Sequence, residues 1–159
     1  MQKIIKGYLQ FKESGFEERK DLFAKLSNSQ SPEVLFITCS DSRIDPNLIT
    51  QTEPGDLFVI RNAGNIVPPH TVESDGIVAS IEFAVVALGV KHIVVCGHSN
   101  CGAMKGALNT SGLTALPKVK SWLNYCSEAV ALVESREGDL MSDELNSMTQ
   151  ENVLLQIRR

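Results

Sequence analysis

The sequence has little of what nucleic-acid-binding and membrane-spanning proteins carry. Lysine and arginine number 15 against 19 acidic residues, a net charge of -4, and no basic stripe clusters along the chain. An electrostatic surface for nucleic acid is therefore not indicated. No apolar run approaches the roughly 20 residues that a bilayer crossing takes. We expect a small or neutral partner molecule.

The N-terminus also lacks the pattern of a secretory leader. MQKIIKGYLQFKES interleaves lysines with apolar residues and has no continuous apolar core before a small-residue cleavage site. We therefore expect a cytoplasmic protein whose four cysteines stay reduced. No repeat, low-complexity tract or proline-rich linker divides the 159 residues, a length that suits one domain.

Three short runs rich in β-branched residues predict strands at residues 34–38, 57–60 and 93–96. Each run is almost wholly apolar, which is typical of parallel strands covered on both faces. Between the second and third runs, residues 74–88 place apolar side chains on one helical face, and Gly89 follows as a C-terminal cap. The expected fold class is α/β: a single domain with a central, mainly parallel β-sheet flanked by helices.

Helical spacing marks the N-terminal residues 3–9 and 17–26, and Gly15 is predicted to break the helix between them. We assign residues 1–30 to an N-terminal helical arm and residues 31–159 to an α/β domain, the two forming one folding unit.

Three further helices are expected. Asp45 and Pro46 predict the N-cap and first residue of a short helix. Later helices are predicted at residues 119–133 and 143–157.

Two segments with polar, metal-binding residue types follow predicted strands. CSDSR, residues 39–43, follows the first strand, and GHSNCGAMKG, residues 97–106, follows the third. Ligands of open α/β sheets bind beyond the carboxyl ends of the strands, so these segments should meet. Cys39, His98 and Cys101 make a soft thiolate and imidazole set that suits zinc, and three protein ligands leave a fourth position open for water. An open position indicates catalysis.

The same residue types also have other interpretations. An isolated H-x-x-C pair, or Cys39 alone, is more typical of structural or buried residues, and we interpret Cys96 and Cys126 as inert thiols. A cysteine-dependent phosphatase would also place Cys and Arg after a strand. However, Arg43 follows Cys39 by only four positions, and Asp41 would repel a phosphate. A non-catalytic zinc-binding module would have no need of Asp41 and Arg43.

Together, CSDSRIDPNLITQTEPGDLFVIRNAGN and GHSNCGAMKG resemble the β-class carbonic anhydrases, zinc enzymes that hydrate carbon dioxide reversibly. The paired motifs C-x-D-x-R and H-x-x-C are specific to that family when both occur. The resemblance implies one Zn²⁺ per chain, held by Cys39, His98 and Cys101. It also implies conversion of carbon dioxide to bicarbonate and a proton, a reaction of carbon utilization. A hydrolase of another linear triatomic, such as carbon disulfide, is the alternative.

Asp41 and Arg43 are the predicted catalytic residues. Zinc lowers the pKa of bound water from about 15.7 toward roughly 7, and Asp41 would accept the proton of the resulting hydroxide in a hydrogen bond and orient its oxygen. Arg43 would keep the Asp41 carboxylate ionised and off the metal. If that pair opened, Asp41 would become the fourth zinc ligand of a closed, inactive form. Gln30 stands where the always-open subtype has glutamine, so we expect the open form.

The resemblance also implies substrate contacts. Gln30 and the Gly102 N–H would donate hydrogen bonds to a bicarbonate oxygen. Phe58 and Phe83 would line the apolar pocket that admits carbon dioxide, although the second position is more usually tyrosine.

Nearby polar residues receive structural interpretations. Arg61 and Asn62 are expected to satisfy loop carbonyls at a strand end. His70 and His92 are interpreted as solvated, with His70 a remote candidate for proton transfer to buffer.

Assembly is inferred from the family as well. Its members generally continue some tens of residues further, adding a strand near the subunit interface, so the resemblance implies that this chain lacks the C-terminal segment. Their N-terminal helices embrace a partner, and part of the pocket crosses the interface. We therefore expect a homodimer or a higher homo-oligomer.

Overall fold

The computed structural model describes residues 1–70, 75–135 and 144–159. Its contacts divide the chain into two units, Met1–Ser31 and Pro32–Arg159. The division lies one residue from the predicted boundary, whereas the grouping of both parts in one folding unit stays a prediction. No helix in the described ranges combines the length and the apolar composition needed to cross a membrane.

The first unit is helical throughout most of its length. It comprises α1 (Gln2–Gln10), a π-helical turn (Phe11–Gly15), α2 (Phe16–Glu18) and α3 (Lys20–Leu26). The predicted break at Gly15 is wrong, because the backbone there stays helical, at φ -62°. The rings of Phe11, Phe16 and Phe23 pack on one another, with centroids 5.3–6.4 Å apart. This aromatic contact offsets the cost of a glycine in a helix, about 1 kcal/mol relative to alanine.

The second unit is built on a three-stranded parallel sheet in the order β2-β1-β3. Its strands are β1 (Val34–Cys39), β2 (Leu57–Asn62) and β3 (His92–Cys96). The register pairs Cys39 with Asn62 and Thr38 with Cys96. All three strands therefore end at one edge of the sheet, and the predicted α/β class with a parallel sheet is confirmed.

Six α-helices, one π-helical segment and two 3₁₀ turns accompany the sheet in the described parts of this unit. They are α4 (Pro46–Thr50), α5 (Gly76–Glu82) with a π-helical continuation (Phe83–Ala87), α6 (Gly102–Leu108), α7 (Pro117–Leu123), α8 (Ser127–Glu134) and α9 (Glu144–Ile157). A 3₁₀ turn (Thr110–Leu113) follows α6. The single helix predicted at residues 119–133 is instead two helices joined by a 3₁₀ turn, Asn124–Cys126.

The predicted helix boundaries near the site hold where the structure describes them. Asp45 Oδ1 accepts a hydrogen bond from the Leu48 N–H at 3.0 Å, and Pro46 is the first residue of α4. Gly89 has φ +65° after the helical crossover from β2 to β3, as a left-handed cap requires. The predicted first residues of the crossover and last helices, Ser74 and Asp143, lie outside the described residues.

The strands differ in how far they are buried. Leu35 and Ile37 of β1 are buried with Ile60 and Ala84 in one apolar cluster. On β3, by contrast, Ile93 is 54% and Val94 38% exposed. The expectation that every strand is covered on both faces is therefore wrong for β3. Both β3 and β2, whose Val59 is also 38% exposed, lie at edges of the three-stranded sheet that the described residues form. An apolar run alone does not reveal edge position.

Candidate metal centre

The candidate site lies where the carboxyl ends of β1 and β3 meet. Cys39 is the last residue of β1 and is buried. After β3, the chain turns through His98 and reaches Cys101, the N-cap of α6, which is also buried. Because both strands are parallel and in register, the two loops that follow them converge on one edge of the sheet.

The three predicted ligands come together. One donor atom each from Cys39, His98 and Cys101 can be chosen so that all three lie within 4.8 Å of one another. The two sulfur atoms are 3.9 Å apart. Two sulfurs that are each about 2.3 Å from one tetrahedral ion lie about 3.8 Å apart, so the observed spacing fits a shared metal ion.

The imidazole of His98 presents one nitrogen to this cluster. Its Nδ1 lies 2.9 Å from the Ser99 carbonyl oxygen, which fixes the tautomer with hydrogen on Nδ1 and a lone pair on Nε2. Nε2 is buried and finds no hydrogen-bond partner in the part of the chain that the structure describes. A buried acceptor without a partner is costly, and a metal ion at the cluster would satisfy it.

The thiols of Cys39 and Cys101 are hydrogen-bonded to each other. The hydrogen bond from Cys101, helped by the Gly64 N–H at 3.4 Å from Cys39 Sγ, holds the pKa of Cys39 well below its ordinary value of 9.0. The pKa of Cys101 is raised, mainly because its thiol donates this hydrogen bond to Cys39 Sγ. The pKa shifts make Cys39 the first of the two thiols to ionise, and a metal ion bound here would displace the remaining proton.

Asp41 and Arg43 form a two-pronged ion pair beside the cluster. Arg43 Nε donates to Asp41 Oδ1 at 2.8 Å, and Arg43 Nη2 donates to Asp41 Oδ2 at 2.7 Å. The Arg43 N–H also donates to Oδ1, and Nη2 reaches the Asn100 carbonyl at 3.1 Å. These donors hold the pKa of Asp41 well below its ordinary 3.8. Asp41 Oδ2 lies 3.8 Å from His98 Nε2, so an ionised carboxylate borders the three donor atoms.

Backbone groups near the ligands are held by side chains of β2. Arg61 Nε donates to the Cys39 carbonyl at 3.2 Å, and Nη2 donates to the Asp41 carbonyl at 2.8 Å. Asn62 bonds both the N–H and the carbonyl of Ile66. The structural interpretation of Arg61 and Asn62 is therefore confirmed.

Sequence reasoning missed the Gly64 N–H and the Asn100 carbonyl. Both are backbone groups, and no residue type is needed to supply them. The one signal available was the glycine of RNAGN, which follows the strand next to β1.

The substrate-binding roles expected of Gln30, Gly102, Phe58 and Phe83 stay predictions. Gln30 is exposed and belongs to the first unit. Gly102, the first residue of α6, is exposed with open space at its Cβ position. Phe58 and Phe83 contact each other, with ring centroids 6.0 Å apart. Phe58 is in register with Leu35, four residues before the ligand Cys39, which is about 13 Å along a strand.

The other two cysteines lie outside the cluster. Cys126 is fully buried, its Sγ donates to Asn152 Oδ1 at 3.2 Å, and burial raises its pKa to about 12. Such a thiol is unreactive. Cys96, at the end of β3, is half-buried and contacts the Gly97 carbonyl at 3.5 Å.

Comparison with known proteins places this geometry in a family. A sequence model described as carbonic anhydrase matches residues 34–159. The chain is 49% identical to a carbonic anhydrase of Synechocystis sp. over 99% of its own length and 58% of that protein. It is 46% identical to one of Pseudomonas aeruginosa over 99% of its length and 71% of that protein.

Solved structures agree with the sequence matches. The β-carbonic anhydrase CcaA superposes with a TM-score of 0.92 and 48% identity, over 99% of this chain and 72% of that one. Tetrameric β-carbonic anhydrases of Sordaria macrospora match with a TM-score of 0.80 and 32% identity, over 99% of this chain and 78% of that one.

The parallel sheet and the Cys, His, Cys cluster at its carboxyl edge define an α/β protein with a candidate metal centre. The chain belongs to the β-carbonic anhydrase family. It spans 58% of the length of the matched carbonic anhydrases from Synechocystis sp. and Synechococcus elongatus.

Proposed function

We propose that this chain holds one Zn²⁺ through Cys39, His98 and Cys101 and catalyses the reversible hydration of carbon dioxide to bicarbonate and a proton. The observation that carries the proposal is that one ligand atom each from Cys39, His98 and Cys101 lies within 4.8 Å of the others. The buried His98 Nε2, which has no hydrogen-bond partner among the described residues, supports it. Two thiolates and an imidazole suit zinc. Three protein ligands are the number found at catalytic rather than structural zinc sites.

When bound, the zinc ion supplies Lewis acidity, which makes a coordinated water acidic enough to react near neutral pH. Cys39 and Cys101 bring more negative charge to the site than imidazoles would, and that charge disfavours ionisation of a nearby water. We therefore expect activity to rise on the alkaline side.

Asp41 is proposed to orient the attacking water. Its ionised carboxylate accepts that water's hydrogen and thereby directs the oxygen lone pair at carbon dioxide. Arg43 occupies both carboxylate oxygens, which supports an open site with Asp41 off the metal. A crystal structure at neutral pH with zinc bound and an Asp41 oxygen coordinated to it would contradict this.

Substrate contacts are proposed for four further residues. Gln30 and the Gly102 N–H would bind a bicarbonate oxygen. Phe58 lies near the start of β2, and the ring of Phe83 contacts it; we propose that the two rings line the apolar pocket that admits carbon dioxide. The phenyl ring of Phe83 lacks the hydroxyl that tyrosine would bring.

We propose a homo-oligomer, at least a dimer. Every residue of α1 is exposed, including Ile4 at 70% and Leu9 at 55%, and an apolar helix face of this kind is typical of an interface. The Sordaria macrospora relatives are tetrameric. Light scattering of the purified chain checks this, and a monomer with full activity would contradict it.

The cytoplasm is the proposed location. Two ligand thiols 3.9 Å apart must stay reduced to bind zinc, and a reducing compartment provides that. Fractionation of the source cells tests the assignment.

The test of the proposed function is removal and return of zinc. Stopped-flow mixing with carbon dioxide and a pH indicator should show fast proton release by the zinc-loaded chain. Release should fall to the uncatalysed rate after chelation and recover on adding Zn²⁺. Mg²⁺, which prefers oxygen ligands, is the matched control and should not restore activity. Equal rates with and without zinc would refute the mechanism. Hydrolysis of carbon disulfide, measured on the same protein, would indicate the alternative hydrolase instead.

A further inference from the structure

Trp122, the chain's single tryptophan, is hydrogen-bonded to the loop after β2, next to the candidate ligand Cys39. Its indole Nε1–H donates to the Ala63 carbonyl oxygen at 2.8 Å. Trp122 lies on α7, 59 residues from Ala63 in the chain. A side chain of a distant helix therefore holds the loop that follows β2.

The same peptide unit carries the hydrogen bond to the candidate ligand. The carbonyl of Ala63 and the N–H of Gly64 belong to one planar peptide group, in which they point in opposite directions. The Gly64 N–H donates to Cys39 Sγ at 3.4 Å. Hydrogen bonds in such a chain polarise one another, so donation from Trp122 strengthens the N–H that faces the sulfur.

The backbone at Gly64 is closely packed, which limits rotation of the Ala63–Gly64 peptide. Its φ is +86°, and a Cβ there would lie 2.9 Å from Met104 Cε and 3.0 Å from Ala103 Cβ. Asn152 Nδ2 donates to the Gly64 carbonyl at 2.9 Å from a buried position. Trp122 therefore fixes the peptide before Gly64, and Asn152 fixes the peptide after it.

The indole is itself oriented by packing. Its ring meets the Tyr125 ring edge to face, with centroids 5.5 Å apart and an interplanar angle of 89°. Trp122 is half-buried, whereas Ala63 is exposed. Water would therefore satisfy the Ala63 oxygen if the indole N–H were removed, but it would not hold the peptide in one direction.

We propose that Trp122 is a positioning residue for the Cys39 metal ligand, acting through the Ala63–Gly64 peptide. The inference rests on the proposed zinc site and adds to it a residue outside the ligands and their neighbours in sequence. By directing the Gly64 N–H, Trp122 sets the orientation and electron donation of the sulfur toward the metal.

The experiment compares Trp122→Phe with Tyr125→Phe in the full chain. The first removes the indole N–H, and the second keeps it while changing its aromatic neighbour. Loss of a partner that bonds a metal ligand typically costs about 10–100-fold in metal affinity. Trp122 acts on the ligand through one additional hydrogen bond, so Trp122→Phe should weaken zinc binding by up to about tenfold in chelator competition. Tyr125→Phe should bind zinc as the wild type does.

Cobalt supplies a readout that a purely structural role would not move. With Co²⁺ at the site, a weaker hydrogen bond to Cys39 Sγ raises the energy of the sulfur lone pairs, and the thiolate-to-cobalt charge-transfer band shifts to longer wavelength. Trp122→Phe should show this shift. Because the chain has one tryptophan, growth on 3-benzothienylalanine replaces only this N–H by sulfur at unchanged shape. The resulting protein should shift likewise, even if Trp122→Phe does not fold.

Unchanged zinc affinity and band position in the benzothienyl protein would overturn the inference, whatever its thermal stability. That result would leave the proposed function intact. Wild-type protein that takes up neither zinc nor cobalt would instead overturn the proposed function and the inference with it.

Discussion

Cys101→Ala is expected to weaken zinc binding by about 10²–10³-fold. Zinc sites in small proteins bind with about 10–16 kcal/mol, which is roughly 3–4 kcal/mol for each of four ligands. Cys101 is 1% exposed, so water has little access to replace the lost sulfur. The loss also removes the thiol whose hydrogen bond lowers the pKa of Cys39. Competition with a chromogenic chelator measures the affinity.

Cys96→Ala is the matched control for this prediction. It deletes a half-buried thiol at the end of β3, which donates a hydrogen bond to the Gly97 carbonyl at 3.5 Å. Zinc affinity should be unchanged. Zinc should also raise the thermal unfolding temperature of wild type and of Cys96→Ala, because it binds the folded state, and should not raise that of Cys101→Ala at the same concentration. If Cys101→Ala bound zinc with wild-type affinity, Cys101 would not be a zinc ligand.

Much of this site could be predicted because metal-binding residue types directly follow the apolar runs that mark the strands. Apolar runs located the parallel strands, and parallel strands in register bring the residues that follow them to one edge. Cys39, His98 and Cys101 are residue types whose shared chemistry is metal binding. Their proximity in the structure follows from the β1 and β3 register.

What sequence reasoning could not supply was decided by side-chain packing, by position in the sheet and by backbone groups, none of which the residue types reveal. Gly15 is a helix breaker by propensity, but the packing of Phe11 against Phe16 keeps the backbone helical. Ile93 belongs to an apolar run that is typical of a covered strand, but its side chain is 54% exposed on an edge strand of the described sheet. The Gly64 N–H that faces Cys39 is a backbone donor, which any residue except proline would offer.

Asp41→Asn is expected to lower the rate of carbon dioxide hydration by about 10²–10⁴-fold, the usual contribution of a positioned acid or base. Asparagine has the same shape but is neutral, and one of its two polar atoms donates rather than accepts. The fork of Arg43, which now bonds both carboxylate oxygens, would retain one acceptor. The three candidate ligands are untouched, so zinc content should stay that of the wild type. Stopped-flow rates and metal analysis of the same samples check both.

The pH dependence of this loss separates the proposed role from a general disturbance. Arg43 holds the pKa of Asp41 below its ordinary 3.8, so the wild-type carboxylate is ionised at every pH from 6 to 9, about two units or more above that value. Because loss of this negative charge lowers the pKa of a nearby water, the ratio of wild-type to Asp41→Asn rates should rise from pH 6 and level off at alkaline pH. Asp45→Asn is the control, because Asp45 caps α4 and asparagine caps nearly as well; its hydration rate should be unchanged. A ratio that falls toward one at alkaline pH would mean that the ionised carboxylate does not orient the attacking water, because Asp41 gains no further charge there.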